Sequence, residues 1–342
     1  MSAEKPINVA VVGAGAFGRN HARVYQQMEH SGEPVHLAAI ADLDPARATA
    51  LARQCGPGVA GSDLGELIAS GGIQAASVAV PTLEHLNVAT RLMTAGIDVL
   101  IEKPLAATLA DADKLISLAK QHGRIAQVGH LERFNPAVQA TLPLVSRPMF
   151  FEVHRLSVFS PRSLDVDVVL DLMIHDLDVV LTLAKSPVKE VRAVGLPILS
   201  SRVDIANVRL EFVSGCVANF TASRVSTEKV RKLRFFQPQQ YISVDYTRQD
   251  VLVFTVAPGA QPAGIAVPGA PGSPIQIAKP SVHPQEPLQA ELRSFVQAVR
   301  HRSQPVVSLE DGRRALALAL DIQATMCEHG RRVNLDALGA KT

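Results

Sequence analysis

Three stretches carry side chains able to move protons or hold anions. The first is Glu102-Lys103-Pro104, which closes the apolar run 97–101. A lysine at the C-terminal edge of a buried strand can hydrogen-bond a substrate hydroxyl and help lower its pKa, and the following proline keeps its backbone extended. The same lysine fits equally a solvated position before a loop. The second is Asp171-Leu172-Met173-Ile174-His175, inside a helical pattern. Residues four apart share a helix face, so the carboxylate can orient an imidazole that accepts a proton near neutral pH. Alone, the pair also fits an ordinary surface contact. Asp176 and Asp178 raise a metal site with His175, but their spacing does not place all three on one face and no His/Cys cluster joins them, so no metal is expected. The third is Gly129-His130-Leu131-Glu132-Arg133-Phe134-Asn135-Pro136, where Arg133 can pair with a phosphate or carboxylate and His130 is either a ligand or a structural hydrogen-bonding residue.

These residues need a scaffold that brings strand ends to one edge. The chain supplies it from its start: the β-branched run 7–12 ends in Gly13-Ala14-Gly15-Ala16-Phe17-Gly18, and a helical stretch follows to about Met28. Gly13 permits the tight turn, Gly15 presents no side chain to a pyrophosphate, and Gly18 lets the helix lie close on the strand. The N–H groups at that helix start then face the phosphates. A second strand, 35–41, ends in Asp42, 24 residues past Gly18; the ribose-binding acid of such folds lies roughly 20 residues on. Leu43 rather than an arginine follows it, with Arg47 a turn away, so the adenosine end favours NAD over NADP. Strands at 74–80, 97–101 and 125–128 alternate with helices at 45–53, 62–69, 82–94, 108–121 and from Asn135-Pro136 onward. Repeated βα units predict a doubly wound parallel sheet with ligands at its C-terminal strand ends.

The pattern changes near Pro148. A long strand at 149–158 and a helix at 166–183 precede strands at 188–194, 203–212, 216–224, 232–236, 241–246 and 250–256, which predict a mostly antiparallel sheet. The fold class expected is therefore α/β: an N-terminal Rossmann domain over 1–145 and an α+β substrate and oligomerisation domain over 146–330. In it the helices of 285–330 pack back on the first domain, and one open sheet face is covered by a second subunit in a homodimer or homotetramer. The segment 257–284, rich in Pro, Gly and Ala, reads as an extended loop.

Composition narrows the partners. A net charge of +2 without a basic block offers nothing to nucleic acid. Three scattered cysteines, Cys55, Cys216 and Cys327, without a C-x-x-C pattern point to reduced thiols. The N-terminal apolar run is broken by glycines and lacks a signal-peptide layout, and no apolar run is long enough for a membrane span. A cytoplasmic protein is expected.

The glycine turn, the Glu-Lys-Pro closing strand four and the Asp-x-x-x-His of the second half, in that order, resemble the glucose–fructose oxidoreductase, inositol dehydrogenase and MocA family over nearly the whole chain, including the helix start at Glu310-Asp311-Gly312. The resemblance implies NAD-dependent oxidation of a sugar or polyol hydroxyl, with Lys103, His175 and Asp171 catalytic. It implies cofactor contacts from Gly13, Gly15, Ala16, Phe17, Gly18, Asp42, Pro81, Glu102 and Lys103. Substrate contacts are expected from Lys103, His130, Arg133, Asn135, Arg162, Asp171 and His175. Residues 129–136 and 167–178 further resemble the nucleotide-sugar branch, which includes UDP-N-acetylglucosamine 3-dehydrogenases that serve lipid A or surface polysaccharide synthesis. Arg133, with Arg155 or Arg162, would then meet the diphosphate. At Leu164-Asp165-Val166-Asp167 the chain departs from the glycine run common before the helical motif. Two other readings remain: a polyol or free-sugar dehydrogenase, and a non-catalytic NAD-binding sensor on the same fold.

Overall fold

The computed structural model describes residues 4–56, 60–159, 166–256 and 274–334. They fall into two compact units, Met1–Phe134 with Glu286–Leu316, and Asn135–Gln285 with Ala317–Thr342.

The first unit runs β1 (Ile7–Val12), α1 (Ala16–His30), β2 (Val35–Ala41), α2 (Pro45–Cys55), β3 (Ala60–Ser62), α3 (Leu64–Ser70), β4 (Ala75–Val78), α4 (His85–Thr94), β5 (Asp98–Glu102), α5 (Leu109–His122) and β6 (Ala126–Gly129). Its sheet is parallel in the order β3-β2-β1-β4-β5-β6, so the strand order reverses between β1 and β4. The three-residue β3 has no expected counterpart, because Ala-Gly-Ser carries neither β-branched residues nor alternation. Gly61 is needed there: a Cβ would lie 2.6 Å from Thr49 Cα of α2. Side-chain caps set the helix starts, Asp44 for α2, Asp63 in a capping box for α3 and Thr108 for α5.

The second unit begins with α6 (Pro136–Thr141), capped by Asn135, and continues with β7 (Phe150–Val158), a π turn at Val169–Met173 and α7 (Ile174–Ala184). Then come β8 (Val188–Leu196), β9 (Ile205–Phe212), β10 (Val217–Ser226), β11 (Val230–Gln237), β12 (Gln240–Asp245), β13 (Asp250–Val256) and β14 (Ile275–Ala278). The sheet order is β14-β13-β12-β11-β7-β10-β9-β8, antiparallel except for the β7–β10 pair. Alternation buries Phe151, Val153, Phe220, Ala222, Leu233, Phe235, Ile242 and Val244 on one face. On the other face Phe150, Phe236, Tyr241 and Phe254 form a ladder across four strands, with centroids 5.7, 4.9 and 5.3 Å apart.

Two expectations are corrected here. The helix expected over 166–183 opens with π-type turns only at Val169. Within the expected loop 257–284, Ile275–Ala278 is a strand paired with β13; the rest of that loop, 257–273, lies outside the described residues.

The chain then forms α8 (Pro287–His301), in the first unit, and α9 (Leu309–Arg332), opened by reciprocal Ser308–Asp311 hydrogen bonds. Leu292, Phe295, Val296 and Val299 of α8 join the core formed by β1, α1, β2 and α2. Burying each contributes about 1.5–3 kcal/mol. The half-exposed Arg293–Glu33 ion pair alongside, at 2.7 Å, adds less than about 1 kcal/mol. Apolar burial therefore holds α8 in place.

Candidate active site

A cleft of about 480 Å³ opens where the parallel sheet reverses, lined among others by Gly13, Gly15, Asp42, Arg47, Pro81 and Arg91. Its floor explains the glycine spacing. Gly13 has φ +104°, and a Cβ there would lie 2.4 Å from Ala79 O. At Gly15 a Cβ would meet nothing within 4 Å, so the space above that turn is open. At Gly18 it would lie 1.7 Å from Gly13 O, which shows how closely α1 approaches the turn. Ala16 and Phe17 form the start of α1, whose first N–H groups have no partner within the helix. An open cradle for a pyrophosphate at a helix N-terminus, beside an acid at the end of β2, fits a dinucleotide.

Asp42 also holds the turn. Its Oδ2 accepts from Ala14 N at 2.7 Å and its Oδ1 from Asp44 N at 2.9 Å, leaving further lone pairs for ribose hydroxyls. A 2′-phosphate would face this carboxylate, although Arg47 and Arg91 line the same cleft. We expect Asp42→Ala to weaken NAD binding about tenfold, the loss of one charge-assisted hydrogen bond at about 1.5 kcal/mol, and to narrow the gap between NAD and NADP. Titrating NADH and NADPH by the change in their own fluorescence on binding, and the oxidised forms by competition against them, checks this. Equal or better wild-type turnover with NADP would refute the assignment of Asp42.

Lys103 stands at the end of β5, half-buried, and its peptide bond to Pro104 is cis. The side chain of Glu102 turns inward. Its Oε1 lies 2.9 Å from His21 Nε2 of α1, and its Oε2 accepts from Lys103 N at 3.2 Å. The Glu102 carboxylate, one of the expected cofactor residues, thus faces His21 and the Lys103 amide. Burial opposes its ionisation, but the hydrogen bond from His21 and the charge of Lys103 outweigh burial and hold the carboxyl below its ordinary range. His21 was not foreseen. The signal was faint: it lies three residues after Gly18 on the face of α1 that meets the sheet, as does Tyr25, which bonds Ser77 at 3.0 Å.

His85 is a second unforeseen residue. Its Nε2 faces Val80 O at 3.1 Å and its Nδ1 faces Pro104 O at 3.1 Å and Leu105 O at 3.2 Å, so one ring links the ends of β4 and β5. Burial pushes its imidazole down despite these carbonyls, and the neutral ring donates from one nitrogen only.

At the end of β6, His130 and Arg133 are buried, and Arg133 lies 3.4 Å from Asp311 at the start of α9. Asn135, expected at the substrate, makes two contacts within the protein. Its Oδ1 caps α6 through Ala137 N at 3.0 Å and its Nδ2 donates to Tyr246 O at 3.0 Å.

In the second unit, Asp171 lies in the π turn and His175 near the start of α7, both half-buried. Turns closed by i→i+5 bonds keep residues four apart on one side, and such turns recur at functional sites. Asp167 caps them: its Oδ1 accepts from Val169 N at 2.8 Å and Leu170 N at 3.1 Å, and Gln323 of α9 bonds its other oxygen. Arg155, a candidate for the diphosphate, is taken up within the protein. It forms a buried bidentate pair with Asp176, at 2.6 and 2.9 Å, beneath the Tyr246 ring at 5.3 Å. Arg162 lies outside the described residues. No group of three or more His, Cys, Asp or Glu among the described residues is placed to hold a metal ion. No helix among them is long and apolar enough to cross a membrane.

Comparison with known proteins places these features among relatives. The family model for the oxidoreductase family with an NAD-binding Rossmann fold matches residues 7–130, and that for the GFO/IDH/MocA C-terminal domain matches 150–243. The UDP-N-acetylglucosamine 3-dehydrogenase of Acidithiobacillus ferrooxidans is 33% identical over 323 residues, covering 94% of this chain and 97% of that protein. Its crystal structure superposes with a TM-score of 0.83 at 31% identity, covering 94% and 98% of the two chains. A myo-inositol 2-dehydrogenase of Thermotoga maritima is 27% identical over 346 residues, 96% of this chain and 99% of that protein. A levoglucosan dehydrogenase solved with NADH and levoglucosan shares the fold at a TM-score of 0.82 and 19% identity, over 95% and 98% of the chains.

Proposed function

We infer the activity from one premise: this chain belongs to the GFO/IDH/MocA family and is an NAD-dependent dehydrogenase acting on a CH–OH group. We propose that its substrate is UDP-N-acetylglucosamine or a close UDP-HexNAc, oxidised at the C3 hydroxyl to a 3-keto sugar. The observation that carries this reading is the 33% identity to a UDP-N-acetylglucosamine 3-dehydrogenase, sustained over 94% of the chain.

NAD supplies the hydride acceptor when bound. The chain's own residues do the rest. Lys103 hydrogen-bonds the oxygen of the reacting hydroxyl, and His175 takes its proton as the C–H bond breaks, with Asp171 orienting the imidazole. Of the arginines considered for the diphosphate, Arg155 is committed to Asp176 and Arg133 lies against Asp311. We keep Arg133 with Arg162 for that contact. Binding energy from the remote nucleotide can then position the sugar for reaction.

The test is direct. Purified protein with NAD is expected to form NADH with UDP-N-acetylglucosamine and almost none with free N-acetylglucosamine, and Arg162→Ala should raise KM for the UDP-sugar more than it lowers kcat. The match to a myo-inositol 2-dehydrogenase favours a second reading, a polyol substrate. Robust turnover of myo-inositol with none on any UDP-HexNAc selects that reading and ends the first.

A further inference from the structure

We propose that His21, on the dinucleotide-binding helix α1, is a positioning residue that acts through Glu102 to fix the charge and orientation of Lys103. The geometry is a buried chain of contacts. His21 is fully buried, and its Nε2 donates to Glu102 Oε1 across 2.9 Å. The other oxygen of that carboxylate accepts from the backbone N–H of Lys103. Strand β6 makes room for the pair: a Cβ on Gly129 would lie 3.0 Å from Glu102 Oε1 and 3.2 Å from Glu102 Cα. One side chain on the cofactor helix thus grips the strand end that carries the proposed catalytic lysine.

The surrounding groups decide where the negative charge resides. Glu102 meets His21 from α1, Glu291 from α8, His85 from α4 and Lys103 beside it on the chain. His85 is neutral for the reason given above. Two carboxyls buried near one another do not both ionise readily. Glu102 has the His21 donor, the Lys103 amide and the Lys103 charge. Neither carboxyl oxygen of Glu291 has a hydrogen-bond partner among the described residues, and burial, aided by the charge of Glu102, pushes Glu291 well above the usual carboxylate range. The charge therefore sits on Glu102 and the proton on Glu291. A single anion lies beneath Lys103, and His21 keeps it there.

This rests on the reading of Lys103 as the reactive lysine, but its test needs no sugar. The full-length protein is acetylated competitively across a pH series, and the Lys103 peptide is quantified by mass spectrometry against the exposed Lys189. An opposite charge at close range moves a pKa by about 1–3 units. Glu102→Gln and His21→Leu are therefore each expected to shift the midpoint of Lys103 reactivity down by about one pH unit. In His21→Leu the stranded carboxyl takes up a proton, so Lys103 loses its anion. His21→Gln keeps a donor and should stay near wild type, and Glu291→Gln should leave the midpoint unmoved. Lys103 midpoints equal to wild type in folded Glu102→Gln and His21→Leu overturn the proposal. So does a shift in Glu291→Gln as large as in Glu102→Gln, which would place the charge on Glu291. If His21→Leu does not fold, Glu102→Gln and His21→Gln decide.

The thermal midpoint gives a second readout. A carboxyl raised above its unfolded value binds more protons in the folded state, so its contribution to stability is complete below the unfolded value, near about 4.3, and is lost as pH rises. Glu291→Gln removes that loss. Its thermal midpoint relative to wild type should climb as pH rises from about 4.3 towards the raised folded value and level off beyond it; a difference that is flat or falls from mildly acidic pH upward overturns the neutral assignment of Glu291.

Discussion

Replacing Lys103 or His175 by alanine is expected to lower kcat by about 10²–10⁴-fold, the usual cost of removing a group that moves a proton in the transition state. NAD affinity should change little, because the cleft that fits the dinucleotide is lined by other residues, Gly13, Gly15, Asp42 and Pro81 among them. Both side chains are assigned to one hydroxyl, so they should act as a unit: the double variant should lose little more than the worse single variant, rather than the product of the two losses. Steady-state kinetics with the accepted sugar, with NADH binding measured separately, read both quantities. Near-wild-type kcat in both single variants sinks the assignment. Loss of activity together with loss of NADH binding points instead to a damaged strand end.

The second large effect separates two glycines of one turn. Gly15→Ala adds a methyl into open space, with no protein atom within 4 Å, so the protein should keep its thermal midpoint. The same methyl intrudes where the pyrophosphate is expected, and NAD binding should fall at least about tenfold, or 1.4 kcal/mol. Gly18→Ala places its methyl 1.7 Å from Gly13 O, a backbone atom that cannot swing aside. Helix α1 must lift from the turn, at a cost of about 2–3 kcal/mol of overpacking, or roughly 5–10 °C in thermal midpoint. Calorimetry and NADH titration of the two variants should therefore dissociate stability from binding. A destabilised Gly15→Ala with intact NADH affinity would contradict the placement of the cofactor over that turn.

Much of this was legible in the sequence because it is encoded within a few residues. Period-two alternation marks β7 through β13, and side-chain oxygens before Pro or an acidic turn mark the starts of α2, α3, α5, α6 and α9. The glycine spacing of the turn after β1 states where backbone must approach backbone. Glu102-Lys103-Pro104 and the Asp171–His175 pair are readable for the same reason: each lies within one strand end or one helix turn. The π geometry that carries Asp171 was not readable, since period 3.6 and its wider variant differ little over five residues.

Tertiary structure alone decided the partners of buried polar groups. His21 meets Glu102 across 81 residues of sequence, and Glu291 joins them from a helix that returns to the first unit after the whole second sheet. Arg155, a candidate anion ligand by type, is instead bound by Asp176, and Asn135 is committed to a cap and a distant carbonyl. Nor did local pattern reveal that β7 runs parallel to β10. A side chain's type states what it can bond. Which of several acceptors it meets depends on sheet order and helix placement, and those are set by the summed burial of apolar faces rather than by any single motif.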